Sequence, residues 1–251
     1  MNELKRIADF RAALKNYQLS DSARRTLNDT PMVLLVGPTG SGRNTIDVEL
    51  NKTGHYYHVV SDTTREIRTK DGVPIEKDGR EYWFRTEDEI LEELKRGEFV
   101  EAALIHDQQV SGISIREIKH AHAAGRIGIT DVEPTGAAAI HALKPDVEAV
   151  FVLPPSFDVW MARLHNRSDV PEDELRRRLE SAHREIGIAL ESDFYTFVIN
   201  LDLDRAVKDI DDIVRLHKHS AEKQQTAREL AKRLQYAIAA YLNPSDKIFQ
   251  V

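Results

Sequence analysis

Apolar residues at Leu4, Ile7, Phe10 and Leu14 recur at spacings of three and four, so residues 3–17 predict a helix with one apolar face. A second short helix is expected after Ser20. Pro31 then precedes a continuous apolar run, Met32 to Val36, of strand length, which stops at Gly37. Such a run reads as a strand covered on both faces, the situation of a parallel sheet. Similar signals recur at 127–132, 149–153 and 197–200, separated by helical patterns at 113–124, 156–166, 171–191 and 203–216. Strands alternating with helices predict an α/β fold on a parallel core sheet.

Between residues 54 and 112 the pattern changes. β-rich pieces at 55–61 and 80–85 flank a glycine-studded loop, and Thr86 with Glu89 three residues later forms a capping box that opens a helix. This stretch reads as an insertion into the sheet framework. Beyond about residue 215, Leu230, Leu234, Ile238 and Leu242 form a stripe on a C-terminal helix that docks or self-associates. The expected organisation is a helical extension over 1–30, a main domain over 31–214 and a second helical extension over 215–251.

Composition narrows the chemistry. With 41% hydrophobic and 31% charged residues in 251, the chain can bury a full core and is too apolar for disorder. It has no cysteine, which removes disulfides, thiolate nucleophiles and cysteine-bound zinc or iron–sulfur centres. The net charge of −7 hides an uneven spread, since both ends are mildly basic and residues 31–214 carry −13. Such a surface repels nucleic acid. No apolar run is long enough to span a bilayer and the chain opens on a charged amphipathic stretch, so a cytoplasmic protein without a membrane partner is expected.

The most informative string joins that first strand to Gly37-Pro38-Thr39-Gly40-Ser41-Gly42 and a helix starting near Arg43. The glycine spacing fits G-x-x-x-x-G-K-[ST], the loop whose backbone N–H groups cradle nucleotide phosphates, with a helix N-terminus behind it. Arg43 stands in the lysine slot, which keeps the cation and changes its shape. Asn44 stands in the Ser/Thr slot, so the hydroxyl that ordinarily meets Mg²⁺ is absent there, with Thr45 adjacent and the amide oxygen of Asn44 itself able to ligate a hard cation.

Further strings follow in series. Ser61, Thr63, Thr64, Arg65 and Arg68 fit Ser-x-Thr-Thr-Arg-x-x-Arg; Gly79, Tyr82 and Phe84 fit Gly-x-x-Tyr-x-Phe; Phe99 and Glu101 fit Phe-x-Glu. Arg163, Leu164 and Arg167, followed by Arg178-Leu179, fit an arginine-bearing lid. With these residues the chain resembles the guanylate kinase family from about residue 31 to 214. The resemblance implies the fold of a P-loop nucleoside monophosphate kinase: a parallel core sheet, an inserted β-rich acceptor-binding region at about 54–112 and a helical lid at about 156–180, to which the periodicity adds extra N- and C-terminal helices outside the matched segment.

The activity it implies is ATP-dependent phosphoryl transfer to GMP or dGMP with Mg²⁺. Arg43, Arg163, Arg167 and Arg178 become the catalytic cations, and residues 37–45 with Asn200 the ATP site. Ser61, Arg65, Arg68, Tyr82, Glu101, Asp131 and Glu133 become the GMP site. Arg65, Arg68 and the Tyr82 hydroxyl are charge-assisted and neutral donors for a phosphate. Glu101 only accepts, which suits the paired N1–H and N2–H₂ donors of guanine. Asn44 or Thr45, and Asp131 through water, are the candidate Mg²⁺ contacts; structural capping of the next helix is the alternative reading of Asp131 and Glu133.

The match departs where the family carries Tyr-Gly-Ser/Thr, for this chain reads Val110-Ser111-Gly112, so one phosphate donor is missing and one guanine contact is missing or shifted to Ser111. The loop between Arg68 and Tyr82 is also about five residues longer than the family pattern. Two other functions stay open: an impaired guanylate kinase-like module that binds phosphorylated peptides, and a kinase for another phosphorylated acceptor. The expected partners are small nucleotides, with a homodimer through the terminal helices as a further expectation.

Overall fold

The computed structural model describes residues 4–166 and 171–243. Helices α1 (Ile7–Lys15) and α2 (Asp21–Asp29) precede β1 (Met32–Val36), α3 (Arg43–Lys52) and β2 (Tyr56–His58). Short strands β3 (Asp62–Thr63), β4 (Thr69–Lys70), β5 (Val73–Pro74) and β6 (Trp83–Phe84) follow. Next come α4 (Glu87–Lys95), the hairpin β7 (Phe99–Ile105) and β8 (Gln109–Ser114), α5 (Ile115–Ala123) and β9 (Ile127–Asp131). The remainder runs α6 (Pro134–Leu143), β10 (Glu148–Leu153), α7 (Phe157–Asn166), α8 (Glu172–Glu191), β11 (Tyr195–Ile199), α9 (Leu203–Leu216) and α10 (Ala221–Leu242). Every strand and helix expected from periodicity outside 54–112 is present, within a few residues at each end.

The chain forms two compact units. One comprises Val33–Thr53, Asp131–Ala137 and the segment from Glu148 onward. Here β10 lies between β1 and β11, all parallel, with Val36 opposite Phe151 and Phe151 opposite Phe197. All five residues of β1 are buried, which is why its sequence is uninterrupted apolar rather than alternating. The phosphate-loop string leaves the end of this strand. The α10 stripe lies on α8 and β11, burying Ala227, Leu230, Ala231, Leu234 and Ile238. Gln224 also pairs its amide with both backbone groups of Phe197, at 2.9 and 3.0 Å, and so covers part of the β11 edge.

The other unit comprises the segment through Met32, Gly54–Thr130 and Ala138–Val147. Its four-stranded sheet has the order β6-β3-β8-β7, and β2 pairs in parallel with β9 in a separate sheet. Thr86 and Glu89 form the expected capping box on α4, and Ser20 caps α2 by accepting from Ala23 N. Helix α1 packs on α4 and β7, where Leu4 and Phe10 join Ile90, Leu91, Leu94, Phe99 and Val110 in one buried cluster. The apolar stripes of α1 and α10, which raise the expectation of pairing with another copy, are each covered within their own unit.

Candidate active site

The turn after β1 is shaped by its glycines. Gly42 has φ +103° at the N-cap of α3, and a Cβ there would lie 2.2 Å from the Asn200 side-chain nitrogen. At Gly37, φ +138°, a Cβ would meet the Val152 carbonyl oxygen at 2.4 Å. Pro38, Thr39, Gly40 and Ser41 form the turn between them, closed by Ser41 N donating to Pro38 O at 3.0 Å. Three groups from the following segments brace it. The Trp160 indole donates to Thr39 O at 2.8 Å, the Asn200 amide donates to Ser41 O at 2.7 Å, and Arg163 donates to Asn200 O at 3.1 Å. Inside the turn, Ser41 Oγ is buried without a hydrogen-bond partner among the described residues, as expected of a group kept for a ligand.

Arg43, largely buried, opens α3 and faces carboxylates. Its guanidinium lies 3.4 Å from Asp131 at the end of β9, and with Thr39, Glu133, Glu174, Arg178 and Glu185 it lines a cavity of about 380 Å³. Burial pushes the Glu185 carboxyl up, while Ser181 and Arg43 pull it down. Arg178 is held by Glu174 at 2.9 Å. Asn44 and Thr45 stand exposed on the first turn of α3. Glu133 immediately precedes α6 and accepts from Ala137 N through its backbone, so it also begins that helix. Arg167 lies outside the described residues.

In the other unit, Arg65 follows β3 and sits over the rings of Tyr82 and Phe84, 5.3 and 5.5 Å from their centroids. Sequence reasoning missed its partner, Glu76. Two parallel bonds of 2.8 Å run from the Arg65 terminal nitrogens to the Glu76 carboxylate, which also accepts from Arg68 N at 2.8 Å. The Arg65 guanidinium holds the Glu76 carboxyl below the usual carboxylate range, with Arg68 adding to the effect. Arg68 itself is mostly exposed, its guanidinium 3.8 Å from Glu76. Within the longer loop the β4–β5 hairpin turns at Asp71-Gly72, both with positive φ, and returns the chain to Glu76. An Asp-Gly pair between strand formers is a hairpin signal already present in the sequence.

Glu101 lies half-buried on β7. Across the hairpin, Ala103 pairs with Ser111 and Glu101 with Ile113, so Ser111 shares the Glu101 face. Ser111 donates to Thr63 Oγ1 at 2.8 Å. Val110 points the other way and is fully buried in the cluster under α1, so the hydroxyl of the family's tyrosine has no substitute there. Ser61 is half-buried, its carbonyl accepting from Trp83 N at 2.9 Å. Next to it Asp62, missed by motif matching, is fully buried between Arg116 at 2.8 Å and Arg85 at 3.3 Å.

Comparisons with known proteins fit this geometry. The sequence profile of the family described as guanylate kinase matches residues 29–217. Guanylate kinase of Corynebacterium glutamicum is 38% identical over 185 residues, spanning 73% of this chain and 94% of the relative. That of Corynebacterium diphtheriae is 37% identical over 185 residues, 73% of this chain and 93% of its own length. A solved guanylate kinase from Anaplasma phagocytophilum shares the fold with a TM-score of 0.55 at 24% identity, covering 81% of this chain and 94% of that one. Among the described residues, no helix is long and apolar enough to cross a membrane. On a profile match across three quarters of its length and relatives of this identity, the chain belongs to the guanylate kinase family of nucleoside monophosphate kinases.

Proposed function

We propose that the protein transfers the γ-phosphoryl group of ATP to GMP or dGMP. An acceptor phosphate oxygen is already anionic, so the reaction needs no general base; it needs in-line placement and compensation of the charge spread over the transferring group. The phosphate loop and Arg43 hold the donor, with Arg163, Arg167 and Arg178 offsetting charge as the lid closes. Arg65, Arg68 and Tyr82 hold the acceptor phosphate, Ser61 and Glu101 the guanine, and Asp131 and Glu133 orient the acceptor. Mg²⁺, when bound with ATP, neutralises phosphate charge. The oxygens of Asn44 or Thr45, and of Asp131 through water, suit a hard cation that keeps most of its ligands from phosphate and solvent.

The observation that carries this reading is the bracing of the phosphate loop by Trp160, Asn200 and Arg163. A module that only binds phosphopeptides through its acceptor side has no use for a rigid donor loop. A coupled ADP-release assay with GMP, dGMP, AMP and a sugar phosphate tests it. Turnover confined to the guanine nucleotides is expected. GMP binding without turnover on any acceptor would favour the binding module, and turnover on another acceptor alone would favour a different kinase.

Glu76 extends the acceptor site. It takes the end-on fork of Arg65, which leaves the Nε edge of the guanidinium outside that pair and available to a phosphate. Glu76→Gln is expected to loosen Arg65 and raise the KM for GMP about tenfold, the equivalent of one charge-assisted hydrogen bond, with kcat nearly unchanged. An unaltered KM would show that Arg65 needs no such anchor.

A further inference from the structure

Regular alternation along a strand would put Phe99 and Glu101 on the same face of β7, because side chains repeat every two residues. They are not on the same face. Phe99 pairs with Ser114 and Glu101 with Ile113, so two steps on β7 face one on β8 and Val100 is the extra residue of a β-bulge. Past the bulge the parity is inverted: Phe99, Ala102 and Leu104 pack together on the face covered by α1, and Glu101 is turned to the other face with Ser111. The aim of Glu101 therefore depends on the bulge staying where it is.

The bulge is pinned from outside the family match, which begins at residue 29. The Tyr17 hydroxyl accepts from Phe99 N at 2.7 Å and donates to Phe99 O at 2.5 Å. One phenol thus satisfies both backbone groups of the residue that opens the bulge, and burial pushes its pKa up to about 12, so it keeps the proton it donates. Its own position is set nearby, where Ser20 N donates to Gly97 O at 2.9 Å, and by the apolar cluster of Leu4, Phe10, Phe99 and Val110. A register slip at Phe99 would rotate Glu101 toward that cluster, which an ionised carboxylate resists but which leaves guanine unread.

We propose that Tyr17 is a positioning residue for guanine selection, and that the N-terminal extension serves as the rear wall of the base pocket by locking the bulge that turns Glu101 outward. The proposal rests on the reading of Glu101 as the guanine-binding carboxylate. Guanine offers N1–H and N2–H₂ to that carboxylate, whereas hypoxanthine keeps N1–H and lacks the amino group. The ratio of kcat/KM for GMP over IMP therefore reports how well Glu101 is aimed.

The experiment compares Tyr17→Phe, Glu101→Gln and the double variant in the full-length protein, with GMP and IMP as acceptors. Tyr17→Phe keeps the ring in the cluster and deletes the hydroxyl. It is expected to lower the GMP-over-IMP ratio about fivefold through the KM for GMP, the scale of one hydrogen bond, with kcat and the KM for ATP within twofold of the parent. In the double variant it should add nothing to the loss caused by Glu101→Gln, because both act through one carboxylate. Equal losses on both acceptors, or additive losses in the double variant, would reduce Tyr17 to a general structural residue and overturn the proposal. A ratio unmoved by Tyr17→Phe but lost in Glu101→Gln overturns it while leaving the reading of Glu101 intact. A ratio unmoved by Glu101→Gln overturns both.

Discussion

Alanine at position 42 is expected to lower kcat/KM for ATP at least about a hundredfold while the chain stays folded. Gly42 adopts φ +103°, where a Cβ costs about 1–2 kcal/mol in backbone energy alone. The new carbon would lie 2.2 Å from the Asn200 side-chain nitrogen, and that amide is buried and committed to Ser41 O. Moving it breaks the brace and leaves a buried polar group unpaired, which costs a further 1–3 kcal/mol or so. Gly54→Ala supplies the contrast. Its φ is +79° but nothing lies within 4 Å of the added carbon, so it should show the backbone penalty alone, as a small fall in thermal stability with ATP kinetics untouched. Equal behaviour of the two variants would mean that Asn200 is not a brace of the loop.

Asp62→Ala is expected to destabilise the protein by about 3 kcal/mol in urea unfolding, and to raise the KM for the acceptor as β3 loosens beside Ser61 and Arg65. Removing one partner of a buried ion pair strands the other. Asp62 is fully buried against Arg116 and Arg85. The loss stays at the low end of the range for such pairs because Arg116 is a third exposed and Arg85 retains Glu93 at 2.9 Å. Arg11→Ala, which removes an ion pair to Asp107 exposed on both sides, should change stability by less than about 0.5 kcal/mol. A cost for Asp62→Ala as small as that of Arg11→Ala would show that the two arginines relax into solvent without penalty.

Much of the framework was legible in the sequence because it depends on local requirements. The uninterrupted apolar run of β1 required cover on both faces, Thr86 and Glu89 marked the start of α4, and the glycines at 37 and 42 required a turn no side chain could enter. The glycine spacing marked the phosphate-loop string, and the resemblance to the family pattern singled out Arg65, Glu101 and the lid arginines as candidates. Glu76 carries no motif signal of its own, and the hairpin that delivers it is marked in the sequence only by the turn pair Asp71-Gly72. Trp160 and Asp62 carried no local signal: one reaches Thr39 from 121 positions away, and the other meets Arg116 from 54.

Periodicity and glycine spacing by themselves determined the parallel α/β framework and the glycine turn after β1, since helix, strand and turn each constrain neighbouring residues directly, while the charged groups were pointed to by their resemblance to the family pattern. The tertiary structure alone decided how those groups are held. It paired Arg65 with Glu76, braced the loop through Trp160 and Asn200, and covered the terminal helices within their own units. It also set the face on which Glu101 lies, through a one-residue bulge fastened by Tyr17. Strand parity is a count along the chain, but where that count slips depends on a hydroxyl 82 positions away, and no local pattern encodes a contact at that distance.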